Sequence, residues 1–364
     1  MYLTKRIFFL LMLLVNALAL QAKLTPGIFV ITKITPHVYM AHPSLVKRIN
    51  STSTIIVGRN YLTVVESQPD MFMAKALIKE IREKISKLPV KYLVFSHFHI
   101  DHILGAAVFL QENPSLIIIS SQQAAEHISL HGTDDQKNWA GIIKQKSTEA
   151  KLSAASAKTT EKKNYLLKAA DELEAYYRDI SSSVIVPPNF TFSDSLNLND
   201  SDLRIQLKFM GAAHTQSDIV VLIQPDKVLV TGDIVHDFEP LLWDANPDSW
   251  IEVLEKIKRI DFDYFVGGHG GMHKGKNIIY AWQDYMKELK AKTIAAIKEG
   301  LTLEKFQDSI TIESFSSLKN GYGKRIQKFR TTYIDYLTGS LLDAVKDEMG
   351  YMWKFYYPAL HSHQ

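Results

Sequence analysis

The sequence predicts an α/β fold, because β-rich runs alternate with helical periods through much of its 364 residues. Two strand–helix–strand units carry this prediction. The helix-like "MFMAKALIKEIREKISKL" lies between "YLTVVES" and "PVKYLVFS", and "ILGAAVFLQEN" then leads to the apolar run "LIIISS". A second β-rich half follows at about 184–233, where four further extended runs occur.

The first strands are predicted from "GIFVITKI", "HVYMAH", "TSTIIVG" and "YLTVVES", with "GRN" at 58–60 forming a hairpin turn. Apolar residues at helical spacing then predict a helix over 71–88. The run "PVKYLVFS" is nearly continuous in apolar residues, which is typical of a strand buried on both faces.

From about residue 127 to 183 the composition shifts to Lys, Ala, Ser, Thr and Glu, which predicts a helical insertion. One apolar stripe on it consists of Leu166, Ala169, Ala170, Leu173, Tyr176, Tyr177 and Ile180. Two interpretations remain open. The insertion is either a solvated helical hairpin that packs on the domain or a lid over a functional site.

Extended structure returns with "VIVPPNFTF", "LRIQLKFMG", "DIVVLIQ" and "KVLVTGD", and "PDK" is predicted to join the last two. The amphipathic "SWIEVLEKIKRID" then leads to "YFVGGHGG". We therefore predict one domain over residues 23–285 and a helical C-terminal extension over 286–364.

Residues 1–22 have the pattern of a secretory signal peptide. Lys5 and Arg6 precede the largely apolar "IFFLLMLLVNALAL", and Ala22 marks a cleavage point. This run of 14 residues is shorter than the roughly 20 that a membrane-spanning helix needs. We expect a periplasmic or secreted protein with no stable membrane insertion after cleavage.

The net charge and the composition of the chain limit the kinds of partner that we expect it to bind. The formal net charge of +3 becomes +1 when Lys5 and Arg6 are removed (3 − 2), so no cationic field favours nucleic acid. Cysteine is absent, which excludes disulfides and thiolate chemistry. A small-molecule substrate is the expected partner, and the sequence leaves the oligomeric state open.

The stretch "SHFHIDH" concentrates metal-binding side chains within seven residues. His97 and His99 lie two apart, so on an extended backbone both imidazoles point toward one ion. Asp101 and His102 follow where the chain should turn, which directs a carboxylate and an imidazole toward a neighbouring point. Two adjacent metals are therefore predicted.

Three more candidate ligands follow predicted strands, where catalytic groups can converge on a rigid frame. They are His214 in "GAAHTQSD", Asp233 in "VTGDIV" and His269 in "GGHGG". Asp218 is predicted either to orient a ligand or to cap a turn.

Other histidine and aromatic side chains lie near these motifs in the sequence. His236 is expected at the rim of the cleft, and His273 in an exposed loop. Trp243 is a candidate for a pocket wall, although an aromatic residue beside apolar strands is more often part of a core.

This order of motifs, HxHxDH followed by His, Asp and His, resembles the metallo-β-lactamase superfamily over about residues 28–280. The resemblance implies a four-layer αββα sandwich. It also implies that His97, His99 and His214 bind a first zinc ion, that Asp101, His102 and His269 bind a second, and that Asp233 bridges both.

The implied chemistry is hydrolysis by a metal-held hydroxide. Two divalent ions can lower the pKa of a shared water toward neutrality, and Asp101 is the predicted catalytic residue that orients it and assists proton transfer. Two Zn²⁺ per chain are the expected cofactors, while the imidazole and carboxylate ligands also suit iron or manganese.

We therefore expect an exported dinuclear zinc hydrolase acting on a small ester, thioester, lactone or related acyl substrate. The chain resembles exported general hydrolases of the superfamily more than true β-lactamases, whose commonest zinc members carry a cysteine where Asp233 lies. Three alternatives remain: a β-lactamase, a mononuclear iron oxygenase and a non-catalytic metal-binding protein.

Overall fold

The computed structural model describes residues 27–44, 51–237, 239–319, 323–324 and 341–361. The predicted signal peptide at 1–22 lies outside these ranges. Over the described residues the chain forms two β-sheets that pack against each other, with helices on both outer faces.

The first sheet has seven strands in chain order. They are β1 (Phe29–Lys33), β2 (Val38–Pro43), β3 (Ser53–Val57), β4 (Leu62–Val65), β5 (Val90–Val94), β6 (Ile117–Ser121) and β7 (Phe190–Phe192). The first four are joined by short turns and run antiparallel. The strands from β4 to β7 run parallel because helical crossovers connect them.

The second sheet has six strands, β8 (Ser195–Asp200), β9 (Leu203–Phe209), β10 (Ile219–Gln224), β11 (Val228–Gly232), β12 (Tyr264–Gly267) and β13 (Met272–Lys274). Its neighbours pair antiparallel except for β11 and β12, which are parallel and joined through a helix. The inner faces of both sheets contribute to one apolar core that contains Ile56, Val94, Leu207 and Val221.

Ten α-helices lie within the described ranges. They are α1 (Met71–Lys84), α2 (Ile100–Ile103), α3 (Ala106–Glu112), α4 (Gln122–Ala155), α5 (Thr160–Ser182), α6 (Pro247–Ile257), α7 (Asn277–Lys298), α8 (Leu303–Ser309), α9 (Ser316–Lys319) and α10 (Leu341–His361). Helices α1 and α3 cover the first sheet, whereas α6, α7 and α10 cover the second. These layers confirm the predicted αββα sandwich.

The predicted helical insertion is the hairpin of α4 and α5, and it begins at Gln122, a few residues earlier than expected. The face of α5 that includes Leu173, Tyr176 and Ile180 is buried in the core on the outer side of the first sheet. The insertion therefore packs on the domain through the apolar stripe that the sequence shows.

The described parts of the C-terminal extension are mostly helical, as predicted. Helix α10 packs on α7 and shares its apolar core through Val345, Met349 and Met352. The Tyr356 hydroxyl donates a hydrogen bond to Asp248 at the start of α6, which ties the extension to the second sheet's helical layer. No helix in the described parts of the chain is both long and apolar enough to cross a lipid bilayer.

Candidate metal centre

All seven predicted ligands lie in segments that follow strands, at the end of the sandwich where those strands finish. Four of them, His97, His99, Asp101 and His102, lie between β5 and the end of α2. His214 follows β9, Asp233 follows β11, and His269 follows β12. Both sheets therefore contribute ligands, and the structure brings all seven side chains together.

The first group consists of His97, His99 and His214, whose ligand nitrogens lie within 4.8 Å of one another. The His214 Nε2 atom is 3.0 Å from the His99 Nδ1 atom. Burial lowers the pKa of His97 well below its usual range and lowers that of His214 to about 3. Both imidazoles are therefore neutral near pH 7, which is the form that binds a metal.

Each histidine of the first group is oriented through its other ring nitrogen. The Ser96 hydroxyl lies 2.8 Å from His97 Nδ1, and the Leu241 carbonyl lies 3.0 Å from His214 Nδ1. The Asp244 carboxylate is 3.0 Å from His99 Nε2. Such partners fix ring orientation and tautomer, so the remaining nitrogens face a common point.

The second group consists of Asp101, His102 and His269, whose ligand atoms also lie within 4.8 Å of one another. Asp101 Oδ2 is 3.4 Å from His102 Nε2 and 3.2 Å from His269 Nε2. Burial opposes the ionisation of Asp101, but the neighbouring His102 and His269 hold its pKa well below the usual range. This half of the centre thus pairs a carboxylate with two imidazoles.

Asp233 lies between the two groups. Its Oδ2 atom is 3.2 Å from His269 Nε2 and 3.7 Å from His214 Nε2, while its Oδ1 atom is 3.6 Å from His102 Nε2. A Cβ atom on Gly268 would overlap the Asp233 carboxylate. The glycine is therefore required for the end of β12 to approach this closely.

The donor set fits divalent cations. His97 Nε2, His102 Nε2 and Asp233 Oδ1 are buried and make no hydrogen bond to any described residue. Leaving such groups without partners is costly, and metal ions bound at the two groups would satisfy them. Imidazole nitrogen and carboxylate oxygen suit zinc, iron and manganese alike.

Glu66 is a further member of the site that the sequence interpretation missed. It directly follows β4, has a positive φ of 72° and is fully buried. Its Oε2 atom lies 3.4 Å from His102 Nδ1, and neither carboxylate oxygen makes a hydrogen bond to any residue described. Glu66 is therefore placed to orient His102 through its Nδ1 atom, as a carboxylate often does for a metal-binding histidine.

Replacing Glu66 with glutamine should weaken zinc binding at the second group by about 10- to 100-fold, because a neutral amide orients and polarises His102 less well. Competitive zinc titration with a chromophoric chelator measures both affinities. Glu83→Gln, at an exposed position on α1, is the matched control. Equal zinc affinity in the Glu66 variant and the wild type would remove Glu66 from this role.

Two histidines lie elsewhere than expected. His236 is fully buried against the ring of Trp282, at a centroid distance of 4.8 Å, so its expected place at the cleft rim is wrong. His273 is buried on β13, where it pairs with Asp237 at 3.1 Å and stacks on Phe265, so it is not an exposed loop residue. Both side chains belong to the packing beneath the centre.

Asp218 is the cap of a turn. Its Oδ2 atom accepts a hydrogen bond of 2.6 Å from the Thr215 N–H, immediately after His214. Burial raises the pKa of this carboxyl to about 8. Asp218 therefore stabilises the turn that carries His214, and it influences the position of this candidate metal ligand through the backbone.

The loop at 241–244, which follows Asp233 in the chain, orients two histidines of the first group. Leu241 and Asp244 contact His214 and His99 as described above, and the intervening Leu242 N–H donates to the Glu348 carboxylate on α10 at 3.0 Å. The C-terminal helix therefore anchors the loop that orients two of the candidate ligands.

Comparison with known protein families finds one that matches this chain. A family model described as the metallo-beta-lactamase superfamily matches residues 46–269, which is more than half of the chain and includes all seven candidate ligands.

One curated relative is a linear primary-alkylsulfatase from Pseudomonas sp., 24% identical over 297 residues. The match covers 76% of this chain and 54% of the relative, so the chain spans about half the length of that protein.

Solved structures share the fold. A stereoselective inverting sec-alkylsulfatase, Pisa1, from Pseudomonas sp. aligns with a TM-score of 0.63 at 14% identity, covering 90% of this chain and 50% of its own. A metallo-beta-lactamase from Pontibacter korlensis aligns with a TM-score of 0.52 at 15% identity, covering 71% and 99%.

Proposed function

Because the chain belongs to the metallo-β-lactamase superfamily, we propose that it is an exported dinuclear zinc hydrolase that cleaves a small ester, thioester, lactone or related acyl bond. The single observation that carries the proposal is the pair of ligand groups that share Asp233. In the proposed assignment, His97, His99 and His214 would hold one metal. Asp101, His102 and His269 would hold the other, and Asp233, which lies between the two groups, would be available to both.

The protein's own groups divide the work of hydrolysis. Asp101 is the catalytic carboxylate: its depressed pKa keeps it ionised, so it can accept a hydrogen bond from a water molecule and orient it. When bound, two zinc ions would supply a water of lowered pKa and polarise the bond under attack. The buried histidines and Asp233 would fix the positions of the metals. The loop at 241–244 orients two of these histidines, His214 and His99.

A sulfate ester of a small alcohol is a second candidate substrate. It is favoured by the curated relative, a linear primary-alkylsulfatase, and its cleavage also requires stabilisation of a negative leaving group or attacking oxygen. The same metal ligands would serve the cleavage of an acyl ester or of a sulfate ester, so a substrate panel has to distinguish the two.

The test combines metal analysis with a substrate panel. The full chain, loaded with zinc, is assayed on a carboxyl ester, a thioester, a lactone, an alkyl sulfate and a β-lactam. We expect about two zinc ions per chain and turnover of at least one acyl or sulfate ester, abolished by a chelator and restored by zinc. Fewer than one tightly bound metal per chain after zinc supplementation would contradict the proposal.

The same preparation separates the alternatives. Preferential hydrolysis of the β-lactam would identify a β-lactamase, and oxygen uptake by protein loaded with a single iron would identify an oxygenase. Bound zinc without turnover of any substrate would favour the non-catalytic metal-binding protein. Export is tested by cell fractionation together with the mass of the mature chain, which should begin shortly after Ala22.

A further inference from the structure

The loop at 268–271, which joins β12 to β13, carries the candidate ligand His269. Three of its four residues are glycines, whose backbones have more conformational freedom than those of other residues. The loop still places the His269 imidazole closely, because its Nε2 atom lies 3.2 Å from both Asp101 Oδ2 and Asp233 Oδ2. Contacts from outside the loop must therefore hold its backbone in place.

The first sheet holds this loop through Thr52, the residue directly before β3. The Thr52 N–H donates to the Gly268 carbonyl at 2.6 Å, and the Thr52 hydroxyl donates to the Gly270 carbonyl at 2.8 Å. The side chain is almost fully buried, and its hydroxyl also lies 3.1 Å from His42 Nδ1 on β2. A single residue of the first sheet thus bonds to the backbone on both sides of His269.

The second sheet holds the same loop through Asp237, which is buried. Its Oδ2 atom accepts a hydrogen bond of 2.6 Å from the Gly271 N–H, and its Oδ1 atom is 3.1 Å from His273 Nε2 on β13. Gly270 has a φ of 86°, and a Cβ atom on it would overlap the Asp237 carboxylate. Asp237 therefore fixes the end of the loop that leads into β13.

Buried polar side chains often serve only to satisfy the backbone of a loop, and such contacts stabilise the fold without any effect on a ligand. The contacts of Thr52 differ in position, because they lie at the two neighbours of a candidate metal ligand. A metal ligand has to be held to within about 0.5 Å of its productive position. A shift of the loop backbone would move the His269 ring away from Asp101 and Asp233.

We propose that Thr52 and Asp237 are positioning residues that set the zinc affinity of the second group through His269. This inference rests on the proposed function, which assigns His269 to the second metal, and it adds the residues that control how tightly that metal is held. The first group is oriented by Ser96 and by the loop at 241–244. Changes at Thr52 or Asp237 should therefore weaken the second group and leave the first group unchanged.

The test is a zinc titration of the metal-free full chain against a chromophoric chelator. The affinity that is lost in His269→Ala identifies the second group. Thr52→Val keeps the shape of the side chain and removes its hydroxyl, so this affinity should fall by about tenfold while the other affinity stays at the wild-type value. Thr52→Ser restores the hydroxyl and should recover most of the lost affinity.

Asp237→Ala tests the contact from the second sheet independently, and it keeps the inference testable if Thr52→Val does not fold. This variant removes the acceptor of the Gly271 N–H. The zinc affinity of the second group should again fall by about tenfold, with no change at the first group.

Thr293→Val is the matched control, because the buried Thr293 hydroxyl on α7 also donates to a backbone carbonyl, that of Leu289, at 2.9 Å. Both zinc affinities should match the wild type. An unchanged second affinity in Thr52→Val, or an equal loss at both groups, would overturn the inference. Absence of turnover on every substrate would instead contradict the proposed function alone, since the zinc affinities are measured without substrate.

Discussion

Replacing Asp101 with alanine is expected to lower kcat by about 10³-fold while the chain remains folded. Asp101 faces both His102 and His269, so under the proposed function its loss removes an ionised group that would orient water and one ligand of the second group. The first group keeps all three of its histidines. Bound zinc should therefore fall from about two ions per chain to about one, as measured by plasma emission spectrometry beside the steady-state rates.

The matched control for this change is Asp134→Ala. Its carboxylate is 74% exposed on α4 and pairs at 3.2 Å with the exposed Lys137, so both the rate and the zinc content should match the wild type. An Asp101 variant that retains wild-type turnover with two bound zinc ions would show that neither role belongs to this carboxylate.

The largest effect on stability is expected for Trp250→Ala. Trp250 is fully buried on α6, its indole N–H donates to the Ile234 carbonyl at 3.1 Å, and its ring lies 5.6 Å from that of His214. Truncation leaves a large cavity and a carbonyl without its donor. The free energy of unfolding should fall by about 3–5 kcal/mol, measured by urea denaturation of the zinc-loaded protein.

Two variants bracket this result. Trp243→Ala removes the same side chain from an exposed position and should change the free energy of unfolding by less than about 0.5 kcal/mol. Trp250→Phe keeps much of the volume and loses the N–H group, so an intermediate loss is expected, and it remains measurable if the alanine variant does not fold. Equal stability of the two alanine variants would mean that the packing around Trp250 is not as tight as the structure shows.

The sequence indicates the candidate centre well because its ligands are local in the chain or follow strong strand patterns. The spacing in "SHFHIDH" brings four side chains together without long-range information. His214, Asp233 and His269 each follow a strand, β9, β11 or β12, and the order of elements then leads them to one edge. The helical insertion is equally visible, since its apolar stripe has helical spacing.

Residues that orient the ligands are harder to predict, because their partners are distant in sequence and their local patterns are ordinary. Glu66 reads as the polar residue that ends a strand, and only the fold shows its carboxylate 3.4 Å from His102. Asp244 lies in an irregular loop 145 residues from His99. The Leu241 contribution comes from a backbone carbonyl, which no side-chain pattern reveals.

Two strands of the second sheet also escaped prediction for physical reasons. Strand β8, "SLNLND", is an edge strand with much of its surface exposed, so polar residues dominate its pattern. Strand β13, "MHK", has only three residues and lies at the other edge. Sheet pairing stabilises both, whereas their own composition does not distinguish them from loops.

The hydrogen bond from Leu242 to Glu348 separates the candidate ligands, along the chain, from the contact that anchors their orienting loop. Every candidate ligand lies at or before residue 269. The anchor of the loop that orients His214 and His99 lies in helix α10, 79 residues further on (348 − 269). A chain shortened before this helix would thus keep the complete set of ligands and lose the contact that anchors their orienting loop.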